Sequence, residues 1–279
     1  MMKYAFVRQV IWCVFALILL SFSLGISWQI SKTTNFLYSF WYQTLHIDEV
    51  IKKNVPKNTQ GKRDFPVDNF QLHEKMFAEI VDAIHQQGNQ EGNQEDNQED
   101  NQLGKLQGNL PSNTLSKISY VNHQLISKAL LTKSEVVHLQ DVANLLRSVE
   151  KLWWINLLIL LGMIFFYCRK EQTISVNSIR EMPTGKQKII SLLSFIILLV
   201  AILSIWGFTE VFYYLHTVVF PENHQWFFYY RDSLMATLMK APDIFSAIAA
   251  QLLLVALFLT WGVDTVLRRY QVKHSKQRV

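Results

Sequence analysis

Long uncharged apolar stretches at residues 10–30, 152–168, 189–208 and 245–263 interrupt an otherwise polar chain. Each is close to the roughly 20 residues that carry an α-helix across the hydrocarbon core of a bilayer, and each is continuous, where a membrane β-strand would alternate. The pattern predicts an all-α membrane protein with four transmembrane helices, at 9–30, 152–168, 189–209 and 245–267. The first stretch runs past the small residues of Gly25-Ile26-Ser27 to Ile30 and reads as an uncleaved anchor rather than a signal peptide. Between the spans lie a mainly helical cap at 31–151 and a second loop at 210–244 on one side. Segments 1–8, 169–188 and 268–279 lie on the other.

Charge orients this layout. The segments 1–8, 169–188 and 268–279 hold twelve Lys and Arg against Glu171 and Glu181, a local balance of +10 that leaves −5 for the rest of a chain whose total is +5. By the positive-inside rule both termini are cytoplasmic, and the cap and the 210–244 loop face outward from the cell membrane. The net charge therefore reports orientation, and no nucleic-acid partner follows from it. With 18% charged and 50% hydrophobic residues, the composition also excludes a disordered polymer.

Within the cap, residues 86–102 read QQGNQEGNQEDNQEDNQ, a four-residue repeat with no apolar side chain to bury; disorder is predicted over 86–109. On its N-terminal side, Phe70, Met76, Phe77, Ile80 and Ile84 fall at helical spacing and predict an amphipathic helix. On its C-terminal side, Thr132-Lys133-Ser134-Glu135 has the form of a capping box, with Thr132 at the N-cap and Glu135 three residues on. It opens a helix whose apolar stripe runs through Val136, Leu139, Val142, Leu146, Val149 and Trp153.

Two constellations carry candidate chemistry. His138 and Asp141 share one face of that helix, where a carboxylate can hold an imidazole tautomer and raise its basicity; alone, H-x-x-D also describes an ordinary surface pair. A straight helix from His138 to Trp153 would lift His138 about 22 Å above the lipid, so a role on lipid calls for a bend at 148–151, and a straight helix makes His138 structural. The second constellation is His216, just past the third span, following Tyr213 and Tyr214 in a stretch crowded with aromatic residues. Nearby, Asp232 and Asp243 stand where helix N-caps belong, and Arg231 can lie on the surface or hold a phosphate or carboxylate at the outer leaflet. There is no P-loop or nucleophile elbow, and neither Cys13 nor Cys168 is placed to staple the outer segments. His73-Glu74 lacks the second His of a zinc peptidase, so no metal site is expected.

The order of these elements resembles the Lit family, the lipoprotein intramolecular transacylases of Gram-positive bacteria. The resemblance rests on S-E-x-x-H-x-x-D-V (Ser134 to Val142) leading into a span, His216 and Phe220 after the third span, then Asn223, Trp226, Asp232 and Pro242-x-x-Phe245 before the fourth. It covers the four-span layout and about half of the chain. It implies an acyltransferase without cofactor that moves the sn-2 acyl chain of a lipoprotein's diacylglyceryl-Cys to the amino group of that Cys, giving lyso-form lipoprotein. Its partners would be the diacylglyceryl-modified lipoprotein and membrane lipids, and His138 and His216 would be the catalytic pair at the cap–membrane boundary. Asp141, Tyr213, Arg231 and Asp232 would support them, with Phe220, Asn223 and Trp226 against the substrate. In the family an Asp follows the loop Asn; here His224 does.

Imidazole suits the reaction, because an α-amino group with a pKa of about 8 must lose a proton before it attacks an ester. His216 is read as the base and His138, with Asp141, as the acid side. Two other readings stand beside this one: a non-enzymatic membrane sensor or assembly protein, and an acyltransferase acting on phospholipid with Arg231 as a phosphate contact.

Overall fold

A computed structural model describes residues 2–90, 114–169 and 183–276. Among these, the helices in chain order are α1 (Met2–Thr33), α2 (Tyr38–Thr44), α3 (Ile47–Asn54), α4 (Phe70–Gln90), α5 (Lys133–Cys168), α6 (Gly185–Trp206), α7 (Phe208–Val219), α8 (Leu234–Met239) and α9 (Asp243–Lys276). One antiparallel hairpin, β1 (Ser119–Val121) with β2 (Ser127–Ala129), sits between α4 and α5. Helices α1, α5, α6 and α9 are long and apolar enough to cross a membrane, and the chain is an all-α, multi-pass membrane protein. It divides into two units.

The membrane unit comprises residues 1–30, 150–211 and 249–279. Phe15, Leu19, Leu160 and Tyr167 form its core, the rings of Phe15 and Tyr167 meeting edge to face at 5.1 Å. Helices α1 and α5 approach closely at Gly25, where a Cβ would stand 2.1 Å from Trp153 Nε1. The Trp153 indole stacks on Phe22 at 4.9 Å and donates to the Phe22 carbonyl at 3.1 Å. Several polar side chains in the spans find partners within the unit, because lipid offers them none. Asn156 Nδ2 donates to the Ile18 carbonyl at 3.2 Å, and the Asp264 carboxylate accepts from Lys188 at 2.6 Å and from Trp12 Nε1 at 3.1 Å. Helix α6 leaves Ile190, Leu193, Ile197 and Leu198 exposed, as a lipid-facing helix does.

The cap unit comprises residues 31–149 and 212–248. Its buried centre is α8, all six residues of which are buried against α3 and α4. Tyr38 donates to the Leu238 carbonyl at 2.8 Å, which ties α2 to the same centre. Helix α4 forms where the apolar spacing predicts it but continues to Gln90. Residues 86–90, expected to be disordered, are therefore helical, since a helix already nucleated extends at little cost. The rest of the repeat, and Lys170, Glu171, Arg180 and Glu181 of the predicted inner loop, lie outside the described residues.

The capping box forms as predicted: the Glu135 N–H donates to Thr132 Oγ1 at 3.3 Å, and the Glu135 carboxylate accepts from the Thr132 N–H. Ser148-Val149-Glu150-Lys151 contains neither Gly nor Pro and ends in two good helix formers, so α5 runs through without a break. Asp243 is the first helical residue of α9 rather than its N-cap; Pro242 occupies the preceding position.

Candidate active site

Helices α5 and α7 bring His138 and His216 together with ring centroids 6.2 Å apart. On α7, Phe212 and His216 stand one turn apart, and the His216 Nδ1–H donates to the Phe212 carbonyl at 2.7 Å while the two rings lie 4.1 Å apart. Phe220, a turn further on, reaches both imidazoles, at 5.0 Å from His138 and 5.2 Å from His216. Trp226 packs on His216 at 5.1 Å and Phe228 on His138 at 5.9 Å. Tyr213 extends the wall through Trp226 and Phe227, both at 5.6 Å. The aromatic surplus after the third span thus becomes an apolar enclosure around two imidazoles.

The enclosure is fastened to α5 on both sides of His138. Glu135, His138 and Asp141 follow one another at three-residue intervals on one face of the helix. Fully buried Glu135 accepts from Ser233 Oγ, and Ser233 Oγ in turn accepts from the Ala236 N–H at 2.8 Å, capping α8. At the other end, Asp141 Oδ2 lies 2.6 Å from His224 Nδ1. The loop at 220–233 has no regular secondary structure of its own, and these two contacts hold it across His138.

That arrangement corrects the reading of Asp141 as the partner of His138. Shared spacing on a helix puts two side chains on one face, but the imidazole of the loop takes the carboxylate. His138 Nδ1 is buried with no hydrogen-bond partner among the described residues. The amino-acid sequence marks His224 only as a departure from the family pattern, since no spacing links positions 141 and 224. Nor does Asp232 cap α8: its carboxylate accepts from Thr59 Oγ1 at 2.6 Å, and Ser233 is the cap. Arg231 is exposed, 3.8 Å from the Asp232 carboxylate and over the Tyr229 ring at 5.8 Å. Asn223 is exposed. Among the described residues, Asn223, Arg231 and Asp232 make no hydrogen bond or ring contact with either imidazole. No three His, Cys, Asp or Glu side chains among the described residues gather as a metal site needs.

Burial disfavours the protonated form of both imidazoles. Burial pushes His138 from 6.5 down to about 4, with the neighbouring His216 adding to the effect and Asp141 opposing it. His138 lies on the part of α5 that precedes the uncharged run at 152–168, outside the membrane-spanning segment. Burial also lowers His216, against the opposing bond to the Phe212 carbonyl. A histidine whose folded pKa is depressed favours folding above its unfolded pKa, and that contribution is lost as pH falls towards the folded value. The cap is accordingly expected to lose stability between about pH 6.5 and pH 4, where the unfolded chain binds a proton that folded His138 refuses. Thermal unfolding of the purified protein across that range checks this; His138→Gln should flatten the dependence, and an unchanged slope would refute it.

Membrane-crossing helices define a multi-pass membrane protein, and an imidazole pair walled by aromatic rings, His138 buried and His216 half-buried, is its candidate site. Residues 91–241 match the family model described as lipoprotein intramolecular transacylase Lit. The match spans more than half of the chain and includes both histidines, so the chain belongs to that family: it is an acyltransferase acting on lipoproteins. Neither the curated proteins nor the solved structures gave a match.

Proposed function

We propose that this chain moves the sn-2 acyl chain of a lipoprotein's diacylglyceryl-Cys to the amino group of the same Cys, with His216 as base and His138 as the donor to the oxyanion. The observation that carries this reading is the apposition of His138 and His216 at 6.2 Å inside the aromatic enclosure. A carbonyl oxygen only accepts, so the bond to Phe212 fixes the proton of neutral His216 on Nδ1 and leaves the Nε2 lone pair free to take a proton. On His138 the reading takes the neutral tautomer with its proton on Nε2, whose N–H can face developing negative charge.

The step balances within one substrate. The amine nitrogen bonds to the ester carbon, the bond from that carbon to the sn-2 oxygen breaks, and His216 carries the proton from nitrogen to the departing oxygen. Low basicity suits this task, because the nitrogen of the tetrahedral adduct is more acidic than the resting ammonium. Holding amine and ester together removes the entropic cost of a bimolecular encounter, an effect of about 7 kcal/mol or more in well-oriented systems. The acyl chains need an apolar surface beside the imidazoles. Exposed Tyr214, Leu215, Val218 and Val219 on α7 supply one. The charge balance of +10 against −5 supports cytoplasmic termini and a site at the outer face.

The test is to express the chain in bacteria that make diacylated lipoproteins and to take mass spectra of a lipoprotein's N-terminal peptide. The expected product carries an amide-linked acyl chain and one free glyceryl hydroxyl; an intact diacylglyceryl group with a free amine would overturn the proposal. The Asp141–His224 contact is read here as a tether for the aromatic loop. Asp141→Ala and His224→Ala are each expected to slow conversion about tenfold, the worth of a charge-assisted hydrogen bond. Exchanging the two residues, Asp141→His with His224→Asp, should recover most of the loss in the same assay; failure of the exchange to recover it would leave the tether reading unsupported.

A further inference from the structure

Within the membrane unit, α1, α6 and α9 line a groove of about 870 Å³. All three helices grade it the same way. Along α9 its lining passes from Leu257 and Trp261 to Asp264, Arg268, Arg269 and Lys273; along α6, in the opposite chain direction, from Phe195 and Leu192 to Lys188; along α1 from Leu20 to Trp12. The groove is therefore apolar at one end and cationic at the end where α1 begins and α9 finishes.

Among the described lining residues the charges do not cancel, with Lys188, Arg268, Arg269 and Lys273 against Asp264. Asp264 is already engaged, with Lys188 on both carboxylate oxygens at 2.6 Å and Trp12 Nε1 at 3.1 Å. Among the described residues no ion pair joins Arg268, Arg269 or Lys273 to a carboxylate. Helix α6 carries few buried side chains among the described residues: polar ties to the unit include the Lys188–Asp264 pair and a 2.8 Å bond from Gln9 Nε2 to Ser191 Oγ, while Ile189, Ile190, Leu193, Ile197 and Leu198 are exposed. An amphiphile with a long apolar part and a net negative head complements this groove in shape and charge. A zwitterionic lipid would leave the surplus positive charge unmatched. Guanidinium pairs suit a phosphodiester in particular, because their forked donors meet two oxygens at once.

We infer that the groove is a binding site for a phospholipid with an anionic headgroup, its acyl portion between α1, α6 and α9 and its phosphate on Arg268, Arg269 and Lys273. The bound lipid supplies packing to α6 that protein side chains do not. The site is remote in chemistry from the transacylase reaction, and its test does not depend on that activity.

The test uses the full chain, reconstituted with an equimolar mixture of phosphatidylglycerol and phosphatidylcholine and examined by native mass spectrometry. Retained phosphatidylglycerol is expected to exceed phosphatidylcholine about tenfold, a modest fraction of what three nearby cations can contribute. The combined variant Arg268→Gln, Arg269→Gln, Lys273→Gln should bind both lipids equally. Ala16→Trp, which fills the apolar part of the groove and keeps every cation, should lose tight adducts of either lipid. Equal retention of the two lipids by the unmodified chain overturns the inference, as does an undiminished preference in the triple variant. If the triple variant is not monodisperse, the single substitutions Arg268→Gln and Arg269→Gln, with Ala16→Trp, decide it: unchanged binding in all three counts against the site.

Discussion

Replacing His216 by Ala is expected to lower the rate of lyso-lipoprotein formation by about 10³-fold, the middle of the range for loss of a positioned general acid–base group. On the proposed mechanism the side chain contributes its Nε2 lone pair to the proton transfer, while its Nδ1–H is committed to the Phe212 carbonyl at 2.7 Å. His138→Ala is expected to be comparably damaging, since it removes the donor opposite. In the proposed mechanism the two imidazoles act on one tetrahedral adduct, and groups that act as a unit are strongly non-additive, so the double variant should be little worse than the worse single one. Mass spectra of a lipoprotein's N-terminal peptide, taken over time in cells with matched enzyme levels, measure all three. A His216→Ala enzyme converting within twofold of the unmodified one would remove His216 from the mechanism, and the same outcome for His138→Ala would remove His138.

Glu135→Ala is expected to destabilise the cap by about 3 kcal/mol, combining the loss of an N-terminal cap with that of a charged hydrogen-bond acceptor to a buried hydroxyl. Glu135 is fully buried and serves two elements at once: it accepts from the Thr132 N–H at the start of α5 and from Ser233 Oγ at the start of α8. Its charge also supports buried Lys62, whose pKa burial lowers and Glu135 raises, and whose ammonium donates to the Leu130 carbonyl at 2.6 Å. Removing the carboxylate leaves a hydroxyl, an amide and an ammonium without their acceptor or counter-charge. Thermal unfolding in detergent measures the loss, and limited proteolysis within 220–233 should quicken in parallel as the far end of the aromatic loop comes free. Glu135→Gln keeps an acceptor in place and should cost clearly less; equal losses for Gln and Ala would mean that charge, rather than hydrogen bonding, is what holds the loop.

Much of this was legible in the residues alone, for reasons that can be stated position by position. A span declares itself because lipid tolerates only a continuous apolar helix, and the four runs in this chain coincide with its four long apolar helices. The capping box at Thr132 and Glu135 is local, within one turn, and forms as the spacing predicts. At 148–151 the residues favour helix, and α5 is helical through them. The hairpin at 119–129 is three residues per strand, too short for alternation to register as a pattern.

The amino-acid sequence by itself determined the four spans, the surplus of positive charge on one side of them, the helix starts, and the presence of His138 and His216 in an aromatic setting, because each of these depends on residues near one another in the chain. Tertiary structure alone decided which partners the chemistry has. Asp141 meets His224 rather than His138, and Glu135 meets Ser233, across separations of 83 and 98 residues. Helical spacing fixes the face on which a carboxylate stands; what arrives at that face depends on where the chain folds back, and here it folds back so that two carboxylates clamp one loop over the imidazole between them.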